Sequence, residues 1–362
     1  MKNKNNSHQL YFVIMAGGVG ARFWPASRES LPKQFLDILG VGRSLLQMTY
    51  DRISSLAPPE NILILTHENY KDQVADHLPD ISIGNILTEP ARRNTAPCIA
   101  YVSLHIQARD PDANIVILPA DHLITKEKQF LDVVQASVEF VDQNDDILTL
   151  GMKPHRPDTG YGYIHLGKPS ADKAIFHVRS FTEKPDLPTA QEYLSKDEYV
   201  WNAGIFISSV KTMLQAFRQH APEIYNTLYT PHVFGTEKEK AHIDQSYEKS
   251  PSISIDFAIM EKAKNMVCMP ASIGWSDVGT WKSLYDLQQK DNLCINLPPS
   301  EVVTQHSDSI LVYGTEGKKY LIRGLKNMIL VDRNDILMVW PLEEEQEIKD
   351  AKENHGAQWM LE

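Results

Sequence analysis

Residues 17 to 33 hold the densest set of groups able to do chemistry in this chain. Gly17, Gly18 and Gly20 follow an apolar run, Tyr11 to Ala16, that reads as a buried strand. Such glycines let the backbone turn tightly and let a ligand approach its N–H groups with no Cβ in the way. Arg22 and Lys33 set two cations beside them. Backbone donors, fixed positive charge and a strand end to hold them are what a polyphosphate requires. The plainer alternative is a surface turn with solvated charges; Trp24-Pro25 and Pro32-Lys33-Gln34-Phe35 in train favour the phosphate site. Two familiar phosphate motifs do not fit. The dinucleotide fingerprint asks for a third glycine where Phe23 stands, and the P-loop asks for Gly-Lys-Ser/Thr, which is absent.

Further along, Asp121 closes Leu118-Pro-Ala-Asp-His122, at the end of a predicted strand over 114–118. Ligands of open α/β sheets sit outside the carboxyl ends of strands, where a carboxylate is placed to hold Mg²⁺ against phosphate oxygens. The competing reading makes Asp121 an N-cap for a helix near 126 to 142; His122 reads as structural. Asp277 lies between Gly274 and Gly279, flanked by Trp275 and Trp281. It is either a second metal carboxylate or the cap of a helix near 280 to 288. Asn94-Thr95 can cap a helix whose first turn holds Pro97, with Arg92 and Arg93 just before it. A helix start with cations nearby suits an anion or a base carbonyl, though it can equally be an ordinary cap. A second constellation suits a sugar phosphate. Gly162 can bring backbone donors to a sugar hydroxyl, Glu183 accepts hydroxyls, and Lys184 meets a phosphate. Asn202 is a polar residue inside a buried strand that must find partners, and Asp256 is a cap or a ligand contact.

The elements that must position these groups alternate. Strands are predicted at 11–16, 61–66, 86–88, 114–118, 146–151 and 200–208. Helices are predicted from the capping box Ser44–Gln47, over 68–78, after Thr95, near 126–142, from Ser254 and near 280–288. The helix from Ser44 is expected to carry Leu46, Tyr50, Ile53 and Ala57 on one face. Strand and helix alternating over short connections predict an α/β sheet with parallel strands. From about Leu297, short β-rich runs separated by Asp, Gly and Asn turns define a small β domain, with an acidic helix or tail after Pro341. The expected division is therefore 1–290 and 291–362. Composition is that of an ordinary globular protein, 42% hydrophobic and 23% charged. A net charge of −11 excludes a broad nucleic-acid surface but not a local anion site. Cys98, Cys268 and Cys294 are odd in number and far apart, which argues against a disulfide framework or zinc and fits a reducing cytoplasm. The N-terminus, MKNKNNSHQL, lacks the apolar core of a secretory signal, and no run approaches a membrane span.

Taken in order, AGGVGARFWPASRESLPKQF, EPARRNTAPCI, LPADH, TGYGYI, FTEKP, WNAGIF, SIDFAIMEKA and GWSDVGTW resemble the mannose-1-phosphate guanylyltransferase family of sugar nucleotidyltransferases. The first of them carries that superfamily's G-G-x-G-x-R…P-K signature through Gly17, Gly18, Gly20, Arg22, Pro32 and Lys33. The resemblance implies a Rossmann-like mixed sheet flanked by helices with a β-helix-like C-terminal domain. It implies transfer of GMP from GTP to mannose 1-phosphate, with Mg²⁺, in a cytoplasmic homodimer that binds neither nucleic acid nor membrane. By the same resemblance Gly17, Gly18, Gly20, Asn94 and Thr95 hold the nucleotide, and Arg22 and Lys33 clamp the triphosphate. Gly162, Glu183, Asn202 and Asp256 bind mannose, Lys184 takes its phosphate, and Asp121 and Asp277 hold the metal. Val19 and Ala21 stand where many relatives have hydroxyls. No isomerase activity is expected of a chain this short. Transfer from UTP or dTTP to glucose 1-phosphate, and a catalytically silent sugar-nucleotide-binding subunit, are the competing functions.

Overall fold

The computed structural model describes residues 9–288, 294–297, 301–333 and 336–355. The polar N-terminus over 1–8 and the Cys294 side chain lie outside that set. The strands in chain order are β1 (Leu10–Met15), β2 (Ile62–His67), β3 (Ile86–Glu89), β4 (Asn114–Pro119), β5 (Leu123–Ile124), β6 (Ile147–Met152), β7 (Tyr163–Pro169), β8 (Phe176–Thr182), β9 (Tyr199–Ser209) and β10 (Met266–Ala271). The helices over the first 150 residues are α1 (Leu45–Ile53), α2 (Lys71–His77), α3 (Thr95–Arg109) and α4 (Glu127–Val141), and four more lie between 187 and 246. Contacts group the residues into two compact units, one of 1–17, 51–119 and 124–275, the other of 18–50, 120–123 and 276–362.

The first unit is built on a nine-stranded sheet of order β3-β2-β1-β4-β9-β6-β10-β8-β7. Pairs among β1 to β4 are parallel, as is β6 with β10. β9 lies antiparallel to both β4 and β6, so the sheet is mixed. Apolar strands such as Ile62-Leu-Ile-Leu65 are fully buried because helices cover the sheet, α3 against β1 and α4 against β9 among them. Tyr11, Val13, Leu63, Ile99, Val102 and Ile117 belong to one continuous core.

The second unit joins an early segment to the end of the chain. Phe23, Leu36 and Ile38 share a core with Trp281, Leu311, Tyr313, Ile329 and Val331. The last four of these apart from Trp281 come from strands at 308–313 and 326–333, which pair in parallel, and a second parallel pair joins 301–305 to 319–323. Successive turns of the chain therefore stack as small sheets, the β-rich region expected from the composition shift.

Two local expectations are sharpened. The capping box at Ser44 is present, with Gln47 N–H on Ser44 Oγ at 3.3 Å and Ser44 N–H on Gln47 Oε1 at 2.9 Å. Its helix ends at Ile53, so Ala57 lies beyond the face it was expected to join. The helix expected from Ser254 is a single π-turn, Asp256–Met260, a rare form that is frequent at functional sites. Among the described residues no helix is long and apolar enough to cross a membrane.

Candidate active site

In the second unit the glycine loop and Lys33 form one body. Gly20 has φ 72°, a left-handed conformation suited to glycine. A Cβ there would also collide with the Lys33 side chain. The loop is pinned by Phe23 N–H on Gly20 C=O at 3.0 Å, Ser27 Oγ on the same carbonyl at 2.5 Å, and Lys33 N–H on Val19 C=O at 3.2 Å. Lys33 is buried, and a buried ammonium must be paired. Its Nζ donates to Asp121 Oδ2 at 3.0 Å and to the Asp277 carbonyl at 2.8 Å. Burial alone would raise the Asp121 carboxyl, but the Lys33 charge and hydrogen bond, helped by His122, outweigh it and hold the group below its usual value.

Neither aspartate is a helix cap. α4 begins at Glu127, well past Asp121. The 281–288 helix is capped reciprocally by Thr280 and Ser283, with Ser283 N–H on Thr280 Oγ1 at 3.1 Å and Thr280 N–H on Ser283 Oγ at 3.0 Å. Asp277 Oδ1 instead accepts from Gly279 N–H at 3.1 Å within its own loop. A divalent cation that keeps waters and substrate oxygens needs only one or two protein carboxylates. Asp121 and Asp277, brought to one ammonium with Asp121 kept ionised, fit that demand. Among the described residues no three His, Cys, Asp or Glu side chains gather into an all-protein cation site. Gly18 and Arg22 are exposed on the same unit.

The remaining candidates, Gly17, Asn94, Thr95, Gly162, Glu183, Lys184, Asn202 and Asp256, fall in the first unit. Asn94, with φ 65°, caps α3 by accepting from Thr95 N–H at 2.8 Å. Thr95 Oγ1 accepts from Ile255 N–H at 2.9 Å, and Ala96 N–H donates to Ile253 C=O at 3.1 Å. The start of α3 is thus tied to the segment that carries Asp256. A Cβ on Gly162 would lie 2.5 Å from Glu183 Oε2, so glycine lets that carboxylate reach the backbone. Glu183 Oε1 pairs with Lys184 Nζ at 2.6 Å, and Lys184 holds φ 48°. Asn202 Nδ2 donates to Asp256 Oδ1 at 3.0 Å. Burial first, then the negative charge of Glu183, pushes the Asp256 carboxyl up to about 6.

Three residues escaped sequence reasoning. Glu89, at the end of β3, is buried and bonded to the Tyr247 hydroxyl, and its Oε2 lies 3.2 Å from where a Cβ on Gly17 would be. Burial raises its carboxyl to about 7, the Tyr247 hydrogen bond opposing. Its place before Pro90, at the close of an apolar strand, was the available signal. Arg156 donates to Asp158 at 2.9 Å and to Tyr161 OH at 3.2 Å, and its guanidinium lies over the Tyr161 and Trp201 rings at 5.7 and 5.4 Å. It stiffens the approach to Gly162. Thr149, inside β6, is the third.

A Gly-rich loop following a parallel strand, a buried lysine paired with an aspartate, and a mixed α/β sheet are the parts of a nucleotide-handling enzyme. The nucleotidyl transferase family is matched over residues 11–292, and the chain belongs to it. Its coarse function is that of a sugar-1-phosphate nucleotidyltransferase. It is 35% identical over 353 residues to a mannose-1-phosphate guanylyltransferase of Escherichia coli, covering 95% of this chain and 75% of that one. It is 36% identical over 348 residues to one of Salmonella muenchen, covering 94% and 72%. A crystal structure from Thermus thermophilus, described as a mannose-1-phosphate geranyltransferase, superposes with a TM-score of 0.83 at 29% identity, covering 96% of this chain and 99% of that one.

Proposed function

We propose that this chain transfers GMP from GTP to mannose 1-phosphate, releasing pyrophosphate and leaving GDP-mannose. The observation that carries the transfer chemistry is Lys33, buried on the glycine loop and bonded to both aspartate segments. The names of the relatives support guanine and mannose. A phosphate oxygen of mannose 1-phosphate attacks the α-phosphorus of GTP in line. A P–O bond forms there as the bond to the β-phosphate bridge breaks, and the bridging oxygen leaves with pyrophosphate. The nucleophile is already an anion at neutral pH, so no general base is required. Catalysis then rests on positioning and charge neutralisation.

Arg22 and Lys33 neutralise charge on the α-phosphate and the leaving pyrophosphate. The N–H groups of Gly17, Gly18 and Gly20 cradle the phosphates, with Asn94 and Thr95 holding the nucleoside. Lys184 aligns the sugar phosphate, while Gly162, Glu183, Asn202 and Asp256 hold the sugar hydroxyls. Asp121 and Asp277 are the residues that would hold Mg²⁺, whose chemistry there is Lewis-acid charge neutralisation on phosphate oxygens.

Pyrophosphate release with Mg²⁺, across a grid of nucleoside triphosphates and sugar 1-phosphates, tests this. Release is expected with GTP and mannose 1-phosphate. Release only with UTP or dTTP and glucose 1-phosphate would replace both substrates. Silence in every well would favour a sugar-nucleotide-binding regulatory subunit, against which Arg22, Lys33, Asp121 and Asp277 all stand.

A further inference from the structure

β6 and β9 do not pair evenly. Thr149 faces Phe206 and Gly151 faces Asn202, so two steps along β6 span four along β9. The surplus is a bulge over 203–205, with Gly204 at φ 67°. A bulge interrupts the ladder and re-aims the side chains beside it. Two donors fill this one. Gly204 N–H lies 3.1 Å from Asn202 Oδ1. The Thr149 hydroxyl lies 3.0 Å from the same oxygen and 3.1 Å from the Ile205 carbonyl. A backbone N–H can only donate, so the Asn202 atom it meets is the carbonyl oxygen. That choice turns the Asn202 NH₂ towards Asp256, which takes one of its two protons at 3.0 Å.

Thr149 is fully buried, so its hydroxyl must spend its proton within the protein. Its single proton is shared between the two acceptors in reach, Asn202 Oδ1 beside the bulge and the Ile205 carbonyl within it. We infer that Thr149 is a positioning residue for the sugar-phosphate half of the reaction: with Gly204 it locks the Asn202 amide so that the second NH₂ proton is presented to a sugar hydroxyl. This rests on the reading above that Asn202 contacts the sugar. Losing the hydroxyl leaves Asn202 Oδ1 on a single donor and lets the amide swing, which weakens sugar binding and not nucleotide binding.

Thr149→Val keeps the shape and the strand preference and removes only the donor. The expected result is a KM for mannose 1-phosphate raised about tenfold, the size of one lost hydrogen bond, with the KM for GTP within about twofold. Thr149→Ser restores the original value. An unchanged KM, a rise for both substrates together, or no rescue by serine would overturn the inference. Should the valine variant not fold, Thr149→Cys, which loses the γ-methyl and keeps only a weak donor, is expected to show the same selective rise, and a wild-type KM there counts against the proposal. Asn202→Ala separates the two layers. If it leaves the mannose 1-phosphate KM untouched, the sugar-site reading fails. If it raises that KM while Thr149→Val does not, only the role of Thr149 fails.

Discussion

Each of the two units carries a candidate carboxylate, half-buried in both cases, and the two are driven in opposite directions. Asp121 faces the Lys33 ammonium, which outweighs burial and keeps it ionised. Asp256, half-buried beside Glu183 with Asn202 as a neutral partner, is pushed up to about 6 by desolvation first and the Glu183 charge second. The same residue type therefore serves as a standing negative charge in one unit and as a group poised near neutrality in the other. On the proposed function, the difference matches what each ligand would need. A triphosphate with its cation wants fixed charges of both signs. A sugar wants hydrogen-bond partners that can accept and donate.

The strongest way to break this contrast is to remove the ammonium. Lys33→Met keeps the aliphatic stem against Phe23 and the glycine loop while deleting the charge. Turnover is expected to fall ~10²–10³-fold, and the Asp121 carboxyl, left without its cation, to rise. Near wild-type turnover would show that the pair is structural. The sugar side has a steric counterpart. In Gly162→Ala the new Cβ meets Glu183 Oε2 at 2.5 Å and the Phe181 ring at 3.1 Å, so the carboxylate must move. A misplacement of this kind is expected to weaken the use of mannose 1-phosphate by up to about 10²-fold with the GTP dependence little changed. A matched loss for both substrates would place Glu183 outside the sugar site.

Glu89 sharpens the contrast within the first unit, because its elevation comes from burial with no nearby cation to offset it. Its folded value is about 7, against 4.5 for the free group. The folded state then binds the proton more tightly than the unfolded chain. Glu89 therefore favours folding fully below about pH 4.5, and that contribution is lost as pH rises through about 7. Glu89→Gln, neutral throughout and still able to accept from Tyr247, is expected to be more stable than wild type by ~3 kcal/mol at pH 9. The gain should vanish near pH 4.5. Denaturant melts of the ligand-free protein at the two pH values check it, and an equal gain at both would mean the residue is not elevated.

Much of this was legible from the chain. Gly17 to Lys33 stood out as a candidate phosphate loop by residue type and spacing, the alternating strands and helices pointed to an α/β sheet, and Ser44–Gln47 wrote its own cap. The composition shift near Leu297 marked the β-rich end. What could not be read is contact between distant segments. Nothing local to Phe23 or Leu36 says that they share a core with Leu311 and Ile329. Asp121 and Asp277 both looked like plausible caps until Thr280 and Ser283 were seen to fill that role for the last of these helices. Thr149 was hidden for a different reason. In Ile-Leu-Thr-Leu-Gly a threonine is an ordinary strand residue, and the bulge that gives its hydroxyl a task lies on another strand, marked only by Gly204.

The smallest expected effect tests the contrast most directly, because it moves a pKa and not a rate constant. If Glu183 helps to raise Asp256, then Glu183→Gln lowers the Asp256 value from about 6 towards that of a free carboxyl. Wild-type KM for mannose 1-phosphate is expected to vary a few-fold between pH 5 and 7 as Asp256 ionises, roughly the range that one such hydrogen bond spans. The substrate's own phosphate titrates near pH 6 as well. Asp256→Asn removes the protein's share and keeps the substrate's, so the ratio of the two profiles isolates Asp256. That ratio should bend near pH 6 in the wild-type background and at lower pH when Glu183→Gln is present in both proteins. A bend that stays in place would mean that burial alone sets Asp256. The two carboxylates would then differ because Asp121 has a cation, with no part played by the second acid beside Asp256.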